Sequence, residues 1–432
     1  NKETVNELGL SIGTYLNNKG AKRISVGRDC RISSPELRDA LVKGLAETGM
    51  NVVDLGMVPT PLLYYSIHHL NMDGGVQITG SHNPPDENGF KICLGTVSVY
   101  GEEIQKIREI NSERIFRSGR GNVEYMEIIR HYLDYMKRNL LPGNIKRKVV
   151  IDAGNGVGGL VAPHVYKAMG VEVVEIFCEP DGNFPNHHPD PTIPVNLTRL
   201  ISEVDENSAD LGIAFDGDAD RIGIVDRKGD IIWGDQLMII FSRDLLERVH
   251  GAKIIGEVKC SQTLYDDIRE HGGTPEMWKA GHSLIKSRMK ETGAIFAGEM
   301  SGHLFFADRY FGYDDGIYAG ARLLEILTRK DEAVGDLLSG VPRMVNTPEI
   351  RVDCPDDRKF GVVSRLVEEF KKEYDVIDID GARVLFDGGW GLVRASNTQP
   401  VLVLRFEAED EIRLKEIKEL FMKKVDEVRK GF

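Results

Sequence analysis

Nothing constrains the folding of this chain more than a unit that occurs three times: strand, helix, strand, helix, third strand, then a loop crowded with polar groups. In the first unit the β-branched runs at 23–27, 51–55 and 75–78 predict strands, with a helix over 35–48. Pro35 suits the first turn of that helix and Gly49 its end, and an earlier helix is expected over 5–16. The second unit places strands at 148–152, 171–176 and 211–215, and the third at 252–256, 275–278 and 294–297. Strands alternating with helices imply open α/β sheets, in which loops beyond the carboxyl ends of the strands form the ligand site. Three such loops are expected to face one cleft.

After about residue 342 the pattern becomes strand, helix, several strands, helix, which reads as a separate α+β domain. Within it, two strands over 390–407 are joined by Ala395-Ser396-Asn397-Thr398-Gln399-Pro400, and 409–430 forms a charged amphipathic helix suited to packing. A chain of 432 residues exceeds what one core supports. The expected division is 1–140, 141–245 and 246–342 for three related mixed-sheet α/β domains, and 343–432 for the α+β domain.

The loops carry the chemistry. Thr79-Gly80-Ser81-His82-Asn83-Pro84-Pro85 follows the third strand of the first unit, and its glycine turn and paired prolines hold Ser81 on a stiff tip. Alone, a solvated Ser-Pro turn would explain it as well. In the second unit Asp216, Asp218 and Asp220 alternate between apolar flanks, so their carboxylates can converge on a hard cation such as Mg²⁺. An EF-hand is excluded, because Arg221 stands where that loop needs glycine and Arg227 where it needs glutamate. The third unit ends in Gly298-Glu299-Met300-Ser301-Gly302-His303, a set suited to sugar hydroxyls and proton movement. Lys259 and the Gly281-His282-Ser283 turn close the first two strands of that unit and should share its rim. Arg394, Ser396, Asn397 and Thr398 supply the donors that grip a phosphate dianion. Gly154-Asn155-Gly156-Val157-Gly158-Gly159 has the spacing of a dinucleotide site but lacks its acidic partner, and its glycines are better explained by close helix–sheet packing.

The net charge of −13 opposes a nucleic-acid or membrane-surface partner, so an anionic substrate needs a local basic pocket. Five scattered cysteines without a Cys-x-x-Cys pair suit reduced thiols in a cytoplasm. No apolar run reaches the roughly 20 residues of a membrane span.

In the order and type of these motifs, one per domain, the chain resembles the α-D-phosphohexomutase superfamily and, within it, the phosphomannomutase/phosphoglucomutase group, over essentially its full length. The resemblance implies a four-domain, heart-shaped enzyme with a TATA-binding-protein-like fourth domain around a central cleft. It implies a phosphoserine at Ser81, and Mg²⁺, one per chain, held by Asp216, Asp218, Asp220 and a phosphate oxygen on Ser81. His82, Lys91 and Arg221 match active-site positions, and His282 and His303 match candidates for proton transfer. Lys259, Glu299 and Ser301 match sugar contacts, while Arg394, Ser396, Asn397 and Thr398 match the loop holding the phosphate not being transferred. The family's Tyr-Asp-Ile-Arg-Gly segment is absent; the sequence begins just after the place where it would lie.

The implied activity is reversible transfer of phosphate between positions 1 and 6 of a hexose through a hexose 1,6-bisphosphate, which is both intermediate and activator. Glucose and mannose phosphates are both expected as substrates, and a hinge is expected near 340–347. A cytoplasmic monomer is expected, with a dimer as the other state. The rivals are a phosphoglucosamine mutase, disfavoured by Met300 where that group has glutamine, a metal-dependent sugar phosphatase, and an inactive sugar-phosphate-binding protein.

Overall fold

A computed structural model describes residues 1–140, 146–396 and 399–431. Each of the first three sheets contains the same four-strand core. In the first, strand Arg23–Arg28 lies between Asn51–Met57 and Gly74–Ile78 and runs parallel to both, and Phe90–Leu94 returns antiparallel beside the third strand. In the second, Lys148–Asp152 lies between Glu172–Ile176 and Leu211–Phe215, with Ile222–Asp226 antiparallel beyond. In the third, Lys253–Glu257 lies between Thr274–Trp278 and Phe296–Gly298, with Leu304–Phe306 antiparallel beyond. The central strands are buried on both faces, as β-branched runs covered by helices require: Val149, Val150 and Ile151 have no exposed surface.

The antiparallel fourth strand makes each sheet mixed, as expected; its position beyond the third strand, which the pattern of three strands per unit did not locate, gives each loop its place. Loop 79–89, loop 216–221 and loop 299–303 each connect the third strand to the returning fourth. The three polar loops are therefore equivalent hairpin connections on three copies of one sheet.

The last domain packs helices Lys359–Phe370 and Glu411–Arg429 on a six-stranded sheet whose long central pair is Gly389–Ala395 and Val401–Ala408, antiparallel. Its core is separate. By contrast, one apolar cluster runs from helix Thr60–His69, through Ile151, Ile213 and Phe215, to Phe296, Phe306 and helix Gly316–Lys330, tying the first three sheets together. The last domain meets the third through a small apolar contact of Trp390 and Leu392 with Val258. Beside it the buried Arg383 guanidinium donates to the carbonyls of Val258 (2.6 Å) and Cys260 (2.8 Å).

Candidate active site

Ser81 occupies the left-handed region at φ 48°, a conformation that costs a non-glycine residue on the order of 1–3 kcal/mol and persists only where its surroundings impose it. Those surroundings are Arg31 and Asp29. The fully buried Arg31 guanidinium donates to the carbonyls of Ser81 (3.0 Å), Asn83 (2.7 Å), Glu87 (2.9 Å) and Pro84. Its Nε pairs with Asp29 Oδ2 at 3.1 Å, and that same oxygen accepts the N–H of Gly80 at 3.1 Å. Phe184, from the second domain, covers the guanidinium at 5.2 Å. Arg31 was missed by sequence reasoning. The only signal was its place in the short connection between the first strand and the helix that begins at Ser34, where one arginine looks like any other.

The aspartate loop closes directly on this tip. Ser81 Oγ donates to Asp216 Oδ2 at 2.6 Å and lies 3.2 Å from His82 Nδ1. The approach depends on Gly217, where a Cβ would stand 2.4 Å from the Ser81 carbonyl oxygen. Val157 N–H binds the Gly217 carbonyl at 3.1 Å from the opposite side, and a Cβ on Gly156 would stand 2.6 Å from that oxygen. The glycine-rich stretch 154–159 thus backs the aspartate loop by close packing.

Asp216, Asp218 and Asp220 are all fully buried, with oxygens within 4.8 Å of one another. Lys91 Nζ is 2.7 Å from Asp218 Oδ2 and also binds Asp220 Oδ2. Thr60, another residue missed in the sequence, donates its hydroxyl to Asp218 Oδ2 at 2.5 Å. Burial, then Asp218 and Asp220, push the Asp216 carboxyl well above its ordinary range. At Asp218 burial acts the same way but is outweighed by Lys91, which holds that carboxyl low. Asp218 Oδ1 and Asp220 Oδ1 have no hydrogen-bond partner among the described residues. Mutually repelling, all-oxygen and partly unpartnered, this buried group fits a hard divalent cation, which would be held by the three carboxylates beside Ser81 Oγ.

Arg221 links this loop to the third domain. Its Nε donates to His303 Nε2 at 3.0 Å, and the two residues form a backbone bridge. The His282 and His303 rings stack at 5.6 Å, both facing the buried Asp314. Burial and then Lys286 hold the His282 imidazole well below its usual range. The His82 ring is likewise pushed down to about 3, by burial and then Arg221. At Asp314 burial is outweighed by Lys286 and the histidines, and the carboxyl stays well below its ordinary range.

On the third-domain side, Glu299 Oε1 accepts the N–H of Gly281 at 2.7 Å, tying the Glu299 loop to the His282 turn. Ser301 lies half-buried in the same loop. Lys259 Nζ binds Glu349 Oε1 at 2.8 Å and lies 3.7 Å from Glu257. Arg394 Nε binds Asp380 Oδ2 at 2.9 Å, and the same oxygen accepts the N–H of Ala280 at 3.2 Å, so the last domain touches the third at the mouth of the site. Ser396 Oγ accepts the Gln399 N–H at 3.1 Å. Asn397 and Thr398 lie outside the described residues. Ser81, His82, Lys91, Asp216, Asp218, Asp220, Arg221, His282 and His303 are thus joined into one connected group, with Lys259, Glu299, Ser301, Arg394 and Ser396 on its third- and fourth-domain side.

Four family profiles match in succession: phosphoglucomutase/phosphomannomutase alpha/beta/alpha domain I over 1–117, domain II over 124–229, domain III over 233–344, and the C-terminal domain over 349–424. The chain is 48% identical over 420 residues to a phosphomannomutase/phosphoglucomutase of Pseudomonas aeruginosa, covering 97% of this chain and 90% of that protein. It is 47% identical over 423 residues to a phosphoglucomutase of Neisseria gonorrhoeae, covering 96% and 91%. Among solved structures, a phosphoglucomutase/phosphomannomutase family protein of Burkholderia thailandensis superposes with a TM-score of 0.92 at 41% identity, covering 100% of this chain and 94% of that one.

Proposed function

The chain belongs to the phosphoglucomutase/phosphomannomutase family of phosphohexomutases, and from that premise we propose how its loops interconvert hexose 1-phosphate and hexose 6-phosphate. The observation that carries the reading is the 2.6 Å contact between Ser81 Oγ and Asp216. It puts an alcohol able to carry a phosphoryl group against a cation-binding carboxylate.

In the active protein Ser81 is phosphorylated. The free hydroxyl of a bound hexose phosphate attacks that phosphorus, giving a hexose 1,6-bisphosphate; after a half-turn in the cleft, the other phosphate returns to Ser81. Asp216, Asp218, Asp220 and a phosphate oxygen on Ser81 would hold Mg²⁺, which would supply Lewis-acid neutralisation of the transferred group's charge. Lys91 and Arg221 add positive charge at the same place, where positioning and electrostatics supply most of the catalysis. His82 flanks Ser81 as a neutral ring. His282 and His303 are the candidates for taking the attacking hydroxyl's proton.

Glu299 and Ser301 bind the 3- and 4-hydroxyls, which exchange places in the half-turn, and Lys259 contacts the ligand from the same rim. Arg394, Ser396, Asn397 and Thr398 hold whichever phosphate is distal. No residue of this set is assigned to the 2-hydroxyl, so glucose and mannose phosphates both serve. Met300 in the sugar loop favours them over glucosamine phosphates. A monomer is the proposed working unit, with a dimer as the other state. Five unpaired cysteines support a cytoplasmic setting. No helix among the described residues is long and apolar enough to cross a membrane.

The test is a side-by-side assay on glucose, mannose and glucosamine 1-phosphates with Mg²⁺ and a trace of bisphosphate. Turnover of the first two but not the third is expected. Turnover confined to glucosamine 1-phosphate, or release of inorganic phosphate in place of the isomer, would replace this reading.

A further inference from the structure

Behind the two histidines lies an acid that none of the loop motifs contains. Asp314 precedes helix Gly316–Lys330, its backbone bridged to Phe305, and its carboxylate has no exposed surface. Oδ1 accepts from Lys286 Nζ at 2.9 Å. Oδ2 lies 3.2 Å from His303 Nδ1 and 3.5 Å from His282 Nδ1. Neither Nδ1 atom nor this oxygen makes a hydrogen bond among the described residues, so the carboxylate faces both rings at ion-pair distance.

The His303 ring is constrained from both ends. Arg221 Nε donates to His303 Nε2 at 3.0 Å, and because a guanidinium cannot accept, Nε2 must carry the lone pair. The proton of the neutral ring is therefore on Nδ1, the atom that faces Asp314. One carboxylate oxygen thus meets two stacked imidazoles through the same ring position, and Lys286, itself 4.2 Å above the Tyr64 ring, fixes the other oxygen.

We propose that Asp314 is a positioning residue for phosphoryl transfer: it holds the Nδ1 edges of His303 and His282, so that Nε2 is the atom left to take the sugar hydroxyl's proton. This rests on the proton-transfer reading of those histidines given above. As the hydroxyl's O–H bond breaks, its proton passes to Nε2 and its oxygen bonds to phosphorus. The bond from phosphorus to Ser81 Oγ breaks with its electron pair left on Oγ, and the imidazolium is stabilised by the carboxylate at Nδ1. A His303 engaged by Arg221 becomes the acceptor when that guanidinium turns to a phosphate oxygen.

The same atoms have a rival use. Asp220 Oδ1 is 3.5 Å from His303 Nδ1, and Asp220, His303 and Asp314 together could hold a second cation. Two features argue against it: Asp220 already belongs to the first three-carboxylate cluster, and Lys286 already neutralises Asp314.

The experiment uses the full chain with Mg²⁺, glucose 1-phosphate and trace bisphosphate. Asp314→Asn should lower kcat by about 100-fold while KM stays within about threefold, and Asp314→Glu should recover about tenfold of that loss. In a chain carrying both His282→Ala and His303→Ala, Asp314→Asn should cost less than about threefold more, because its partners are gone. A folded Asp314→Asn protein with kcat within about twofold of the parent, or a fully additive loss in the double-histidine background, overturns the proposal. If Asp314→Asn does not fold, Asp314→Asn with Lys286→Met removes both buried charges, and full activity there overturns it equally. Histidine variants that keep the parent kcat overturn the proton-transfer reading itself, whereas a loss in those variants alone overturns only the role of Asp314. A second bound Zn²⁺ or Mg²⁺ per chain that disappears in Asp314→Ala makes the carboxylate a ligand and also overturns the proposal.

Discussion

Ser81 Oγ and Asp216 Oδ2 stand 2.6 Å apart although 135 positions separate them along the chain. Two hairpin loops from two copies of the same sheet meet there without a side chain between them, because position 217 carries none. A serine-bearing tip thereby becomes part of the wall of a buried cluster of three carboxylates.

Peptide mass analysis of purified protein should find phosphate on Ser81 in a fraction of molecules. Ser81→Ala should lose that mass and about 10⁴-fold or more in mutase activity, as removal of a covalent nucleophile does. A Ser81→Ala chain with parent activity would refute the phosphoserine cycle.

Removing divalent cations with a chelator should stop turnover, and adding Mg²⁺ should restore it. Because a cation relieves repulsion among three buried aspartates, Mg²⁺ should also raise the melting temperature by a few degrees. Full activity in chelator, or no thermal response, would remove the metal from the site.

Arg394→Ala should raise KM for hexose phosphates by about 10- to 100-fold with kcat little changed, the effect of losing a charge-assisted contact to a bound dianion. Asp380 anchors that guanidinium, so Asp380→Asn should give a smaller rise in the same direction. Steady-state kinetics decide, and an unchanged KM in Arg394→Ala would detach the last domain from substrate binding.

Arg31→Met should release four carbonyls of the serine loop and leave Asp29 buried without its partner. A loss of about 3–5 kcal/mol is the usual result of breaking a buried pair from one side. Early proteolytic cleavage within 79–89 and a lower unfolding temperature are expected. A variant as resistant as the parent would show that the loop holds its own shape.

Burial pushes the Asp315 carboxyl up to about 6 despite the bonds it accepts from Tyr132, Tyr310 and the Tyr318 N–H. The folded chain therefore binds this proton more tightly than the unfolded chain, whose value is near 3.8. Its contribution to stability is greatest below about pH 4 and falls as pH rises through 6, by at most about 3 kcal/mol. The melting temperature of the parent minus that of Asp315→Asn should consequently fall between pH 4.5 and 7.5, and a flat difference would refute the shift.

Much of the architecture was legible in the chain because it is written in short windows. Alternating β-branched runs and helix ends at 34–49 predict elements within a few residues of those observed, and the chemistry of loops 79–85, 216–221 and 298–303 shows in their residue types alone. Mixed sheets were expected, but the positions of the returning fourth strands were not legible, because short antiparallel runs such as Leu304–Phe306 carry too few residues to separate them from loop. Arg31, Thr60 and Asp314 were missed for a different reason. Each lies outside the polar loops, and each acts on a group from a distant element.

By itself, then, the sequence determined the order of elements, the threefold unit and the kinds of group each loop offers, since these follow from local periodicity and turn chemistry. Only the tertiary structure decided that Ser81 meets Asp216, that Lys91 bridges Asp218 and Asp220, and that Asp314 faces two histidines. Such contacts are fixed by the angle at which one sheet packs on the next. That angle is set by the continuous apolar core from helix Thr60–His69 to helix Gly316–Lys330, a sum of many side chains that no short window contains.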